Sequence, residues 1–144
     1  LRARQTVETI MSTLRLTCPL RYSPLIRELD YGRFTEKKVD ETFKILNYKR
    51  VPDQRYPEGE SFNDMQARVR QFLSQMLEES AGKRILVAAH AGSIRLMAML
   101  LDPTHRQEHL DRAYGNRFVG RAVMDGGNRP VSFEVLQNPE RGGF

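Results

Sequence analysis

Apolar positions along the chain alternate between helical and extended spacing, and the switches between the two outline its elements. Val7, Ile10, Met11 and Leu14 recur at helical intervals and predict an amphipathic opening helix. Cys18-Pro19-Leu20 is expected to end it, because proline disfavours helix at the residue before it. Residues 21–32 read as an extended stretch and a turn, with Gly32 the flexible point. Val39, Phe43 and Leu46, at i, i+4 and i+7, predict a second, short helix. Residues 51–60 carry two prolines and a glycine and read as a loop, a class of segment that often rims active sites.

The clearest periodicity starts at Ser61. Ser61 with Asp64 three residues on fits a capping box, with aspartate in place of the usual Glu or Gln. Phe62, Met65, Val69, Phe72, Leu73, Met76 and Leu77 then form one apolar stripe suited to core packing. Gly82-Lys83 breaks the pattern before Ile85-Leu86-Val87-Ala88-Ala89, an uninterrupted apolar run that predicts a strand covered on both faces, as in a parallel sheet. A helix with Ile94, Met97, Leu100 and Leu101 facing inward follows. Asp102-Pro103 is placed to cap and start another short helix through about Ala113. Phe118 to Met124 and Val131 to Leu136 flank Asp125-Gly126-Gly127-Asn128 and predict a hairpin. Residues 139–144 read as a frayed tail, leaving 1–138 as a single domain.

A length of 144 residues suits one domain with a core of its own. The single cysteine, Cys18, has no partner in the chain, which points to a reducing compartment and to the cytoplasm. No apolar run approaches the ~20 residues of a membrane helix, so no membrane partner is expected. The net charge of +5 favours anionic partners. Basic and acidic residues are nevertheless interleaved, without the stripe that nucleic-acid binding requires.

The candidate chemistry centres on His90. A histidine at the carboxyl end of a buried strand faces the crevice where open sheets bind ligands. The small residues Ala91-Gly92-Ser93 behind it open a helix whose amides and dipole attract an anion such as phosphate. Arg2 and Arg4 offer guanidinium forks that match phosphate oxygens. Glu28, in an apolar setting before the Tyr31-Gly32 turn, is placed to act as a general acid. Each also has an ordinary reading: a helix cap for His90, solvated surface for the arginines, half of an ion pair for Glu28.

Together these segments resemble one family. Arg2-Ala3-Arg4-Gln5-Thr6-Val7 is similar to an Arg-Ala-x-Gln-Thr-Ala helix start. Leu25-Ile26-Arg27-Glu28-Leu29-Asp30-Tyr31-Gly32 resembles a Leu-x-Glu-x-x-x-Gly segment. Pro57-Glu58-Gly59-Glu60-Ser61 resembles a Pro-x-Gly-Glu-Ser element, and Val87-Ala88-Ala89-His90-Ala91-Gly92 a Val-x-x-His-Gly-Gly strand end. Four such blocks in order mark a resemblance to the histidine phosphatase superfamily, the phosphoglycerate-mutase-like proteins. The resemblance implies an α/β fold, a three-layer sandwich with a mostly parallel sheet. It implies phosphomonoester hydrolysis through a phosphohistidine, with mutase activity as a variant. Arg2 and His90 would bind the phosphoryl group with Ala91 and Gly92, Glu28 would protonate the leaving oxygen, and Glu60 and Ser61 would lie near the substrate rim. No cofactor or metal is implied; the partner is a small phosphorylated substrate or phosphate, and a homodimer is compatible with it.

Two features depart from the family pattern. Ala91 stands where the first of two glycines is usual. The nucleophile of the family lies in an Arg-His-Gly motif upstream of the helix that starts near Arg2, and the three histidines here are His90, His105 and His109. The chain is therefore expected to be N-terminally truncated, a fragment of a longer enzyme that forms no phosphohistidine unaided. Taken as whole, it would instead be a non-catalytic phospholigand-binding module. A separate reading rests on His105-Arg106-Gln107-Glu108-His109, which spells the His-x-x-Glu-His of one class of zinc peptidases, with Glu108 as base.

Overall fold

The computed structural model describes residues 2–37, 51–79 and 82–138. Their order is α1 (Arg2–Thr13), two single 3-10 turns (Pro24–Ile26 and Gly32–Phe34), α2 (Phe62–Glu79), α3 (Ala91–Leu101), a 3-10 turn (Pro103–His105), α4 (Arg106–Asp111), β1 (Val119–Met124) and β2 (Pro130–Gln137). The short helix expected around Val39–Leu46 and the tail 139–144 lie outside the described residues. Among the described residues no helix is long and apolar enough to cross a membrane.

The core forms where the stripe of α2 meets α3. Phe62, Met65, Val69 and Leu73 of α2 are buried against Leu96, Met97 and Met99 of α3, with Leu29 and Tyr56 closing the cluster. Phe72 and Met76 pack at its margin, so the periodicity read from the sequence marks the buried face of α2. Its start is also as expected. Asp64 accepts from the Ser61 N–H (2.9 Å) and the Ser61 hydroxyl (2.7 Å), and the Asp64 N–H donates back to Ser61 Oγ (3.0 Å).

Two glycines hold the loop before α2 against the segment after the first turn. Gly32 has φ +50°, and a Cβ there would lie 2.1 Å from the Pro57 carbonyl oxygen; a Cβ on Gly59 would lie 2.4 Å from the Asp30 carbonyl oxygen. With no side chain on either, Arg33 N–H donates to Pro57 O (3.0 Å) and Glu60 N–H to Asp30 O (2.9 Å).

The opening helix forms but buries no residue. A helix of this length has little stability by itself, and local contacts hold it. Glu8 accepts from Arg4 (2.8 Å) and from the Tyr22 hydroxyl (2.7 Å), and Arg4 lies over the Tyr22 ring. The helix ends earlier than Pro19 suggested. Arg15 takes a left-handed conformation (φ 51°), with Leu16 N–H bonded to Met11 O and Arg15 N–H to Ser12 O. That is a Schellman motif, so backbone geometry stops the helix before proline can.

The class is α/β, but the sheet differs from the expected one. The only ladder among the described residues is the antiparallel β1–β2 hairpin, from Val119↔Gln137 to Met124↔Pro130. Its turn is closed by Asp125, whose side chain accepts from the Gly127 and Arg129 amides, with Asn128 at φ 60°. No mostly parallel three-layer sandwich is present among the described residues. Ile85–Ala89 joins no ladder, and Ile85 and Leu86 are 47% and 61% exposed; Val87 and Ala89 alone reach the core. In a parallel sheet neighbouring strands pair with a strand's edges and helices cover its faces, and no paired strand is described beside this one.

After α3 the expected helix through Ala113 is a 3-10 turn followed by α4, ending at Asp111. Asp102 makes no side-chain cap to that turn. Its carboxylate is taken by His105 Nδ1 (3.0 Å) and His109 Nε2 (2.9 Å) instead.

Candidate functional site

The start of α3 is the focus of the site. His90 is its N-cap, with extended backbone (φ −92°, ψ 161°) and no side-chain cap bond. Its carbonyl accepts from Ile94 N–H (2.8 Å). Ala91 and Gly92 are the first two helical residues, whose amides have no carbonyl one turn earlier to bond.

Glu28 supplies an acceptor. Gly92 N–H donates to Glu28 Oε2 (3.3 Å), and Leu29 N–H donates to Glu28 Oε1 (3.0 Å). A negative charge at a helix N-terminus is favourable, and Gly92 lets it come close. A Cβ at position 92 would lie 2.2 Å from Glu28 Oε1. The structure therefore brings Glu28 to Gly92, two residues after His90, and places a carboxylate where the sequence suggested a bound anion.

The backbone that carries Glu28 is tied from both sides. The Ser93 hydroxyl of α3, fully buried, lies 2.8 Å from both the Ile26 and Arg27 carbonyl oxygens. Arg68 of α2 donates to Leu25 O (2.7 Å), Arg27 O (2.8 Å) and Glu28 O (3.1 Å). The same guanidinium also forms a two-pronged pair with Glu60, Nε to Oε1 at 3.0 Å and Nη2 to Oε2 at 2.9 Å. Arg27 and the Asp30 amide donate to Glu60 as well. Burial pushes the Glu60 carboxyl upward, but the bonds from Arg68, Asp30 and Arg27 outweigh it and hold the group below the usual carboxylate range.

The remaining sequence candidates lie apart from this cluster or face another way. Arg2 is exposed at the start of α1, and its guanidinium makes no hydrogen bond or ion pair among the described residues. No hydrogen bond joins it to His90 among the described residues. Glu60, expected near a substrate rim, spends its carboxylate on Arg68 and Arg27, and Ser61 is buried in the α2 cap. Arg68 carried no functional reading in the sequence. The signal for it was an arginine three residues after Met65 and four before Phe72, at the flank of an apolar stripe, where a charge needs a partner.

The zinc pattern resolves differently. Buried His109 uses both ring nitrogens, Nε2 with Asp102 (2.9 Å) and Nδ1 with the Tyr114 hydroxyl (3.0 Å). Burial raises the Tyr114 hydroxyl to about 12, so it remains neutral. With both ring nitrogens engaged in this way, His109 has none free for a metal. Among the described residues no group of three or more His, Cys, Asp or Glu is arranged to hold one.

His90, the Ala91 amide and the Gly92 amide, the last bonded to the Glu28 carboxyl, thus lie together at the start of α3. The profile of the histidine phosphatase superfamily (branch 1) matches residues 1–132, and the chain belongs to that superfamily. It is 32% identical over 111 residues to a 2,3-bisphosphoglycerate-dependent phosphoglycerate mutase of Methylobacterium radiotolerans, covering 71% of this chain and 52% of that protein. Proteins of the same name from Nitrobacter winogradskyi and Chelativorans sp. are 31% and 35% identical, each across 78% of this chain and 58% of the relative. The chain thus spans about half the length of the curated relatives it matches.

Proposed function

We propose that this chain carries the acid and the oxyanion-binding part of a phosphomonoester-processing site. The single observation that supports this most directly is the Glu28 carboxylate on the Gly92 amide, beside His90. In this reading the phosphoryl group is held by His90 and the Ala91 and Gly92 amides, and Arg2, exposed at the start of α1, has no contact in the structure that supports a part for it. Such fixed donors stabilise the charge that spreads over the phosphoryl oxygens during transfer. Glu28 gives its proton to the leaving oxygen. A proton on that carboxyl also removes its repulsion of the arriving phosphoryl group.

The nucleophile is a histidine from outside these 144 residues, and the parallel three-layer sandwich is completed there too. Hydrolysis of a phosphomonoester is the activity we assign. A mutase reaction, returning the phosphoryl group to a second hydroxyl, is the second reading and is favoured by the names of the relatives.

Titration of the isotope-labelled chain with inorganic phosphate tests the site. Saturable shifts of the Ala91 and Gly92 amides are expected, with the hairpin turn at 125–128 unmoved. Absence of any shift at 91 and 92, or equal shifts throughout, would remove the assignment.

A further inference from the structure

We infer that Arg68 is a positioning residue for Glu28, resting on the reading of Glu28 as the acid. It touches no reacting atom in that reading; its action runs through the backbone that carries the acid. A general acid must stay within hydrogen-bond reach of the oxygen it protonates, so its backbone must be fixed.

In the backbone of residues 25–28 regular structure is limited to a single 3-10 turn, Pro24–Ile26, closed by Arg27 N–H on Pro24 O (3.3 Å). No ladder includes these residues. Their carbonyls are instead gathered by side chains. Arg68 takes three of them, at Leu25, Arg27 and Glu28. Ser93 takes Ile26 and shares Arg27. The last carbonyl bound by Arg68 belongs to Glu28 itself, so the guanidinium sets the starting point of the side chain that reaches Gly92.

The guanidinium is well suited to this. Its planar fork presents several donors in fixed directions, and here they serve three carbonyls and one carboxylate together. Its side chain is 12% exposed and that of Glu60 13%, so the fork is held by packing as well as charge. Glu60 neutralises it and aims it. Lysine in the same place offers one ammonium centre and cannot span carbonyls of residues 25, 27 and 28 while keeping both Glu60 oxygens.

The Gly92 amide reports this directly, without turnover. In the labelled chain, Glu28→Gln gives the Gly92 resonance with the carboxylate removed. Arg68→Met and Arg68→Lys are then expected to move Gly92 at least halfway towards that position, with the Asp64 amide of the α2 cap unmoved. Should Arg68→Met fail to fold, Arg68→Lys reads the same resonance. A folded Arg68→Lys or Arg68→Met protein with Gly92 at its wild-type position overturns the inference. So does a Gly92 resonance that ignores Glu28→Gln.

Kinetics of the whole protein that carries this chain separate the two readings. Arg68→Lys should lower kcat at least tenfold with KM within about twofold, and should have no further effect in a Glu28→Gln background. A purely structural role would lower both backgrounds alike and overturns the inference. Absent turnover in the wild type, with Gly92 still responding to Arg68, removes the phosphatase reading and leaves the positioning intact.

Discussion

Gly92→Ala isolates the contact on which the site depends. The new Cβ would stand 2.2 Å from Glu28 Oε1, 3.2 Å from its carboxyl carbon and 3.3 Å from Met65 Cε. An overlap of that size must be relieved, and the obstructing atom is the far end of a flexible side chain, so Glu28 turns away. The stability cost is small. A hydrogen bond to a charged group contributes about 1.5–3 kcal/mol, and at 3.3 Å this one belongs at the weak end. Alanine in a helix returns about 1 kcal/mol relative to glycine. The net loss is about 0.5–1 kcal/mol, a fall in Tm of about 2–4 °C. If Glu28 is the acid, as proposed, the catalytic cost is far larger, because general acid catalysis contributes about 100- to 10,000-fold. Thermal denaturation of the chain, and turnover in the presence of the proposed nucleophilic histidine, measure the two separately. An alkyl phosphate, whose poor leaving group needs a proton, should slow by at least about 100-fold. p-Nitrophenyl phosphate, whose phenolate leaves without one, should slow much less. Equal slowing of both esters, or of neither, refutes Glu28 as the acid.

Two further outcomes follow from the same geometry. Gly32→Ala places a Cβ 2.1 Å from the Pro57 carbonyl oxygen at φ +50°, and both the obstructing atom and the strain are backbone; a loss of about 3 kcal/mol or more is expected in denaturant unfolding, and a loss under about 1 kcal/mol would contradict the crossing of residues 30–32 and 57–59. For acid stability the sign is set by Glu60, whose folded pKa lies below its ordinary 4.5 because Arg68, Asp30 and Arg27 outweigh burial. The folded state then binds fewer protons than the unfolded one, so this contribution is complete above about pH 4.5 and is lost as pH falls through the lowered value. Glu60→Gln should flatten the decline of stability below pH 4.5, and an unchanged slope in acid denaturation would show that the pair with Arg68 contributes nothing there.

What the sequence determined by itself is the part of the molecule set by short-range physics. The stripe from Phe62 to Met76 marked the buried face of α2 because helical period converts spacing into a face. Ser61 and Asp64 marked its start because a cap is completed within four residues. The Asp125–Asn128 turn marked the hairpin because its bonds close locally. The four motif blocks marked the family for a different reason, since their order survives without any knowledge of contact.

Tertiary structure decided everything that depends on a partner distant in the chain. Ile85–Ala89 has the composition of a buried strand, but a strand is defined by its neighbours. Asp102 has the position of a cap, yet His109, seven residues on, competes for its carboxylate and wins. Glu60 and Arg68 read separately as two charges; only folding shows them bound to each other and, through Arg68, to the backbone of Glu28, 40 residues away. A buried charge takes whichever partner folding brings within reach, and the spacing of residues along the chain does not record that partner.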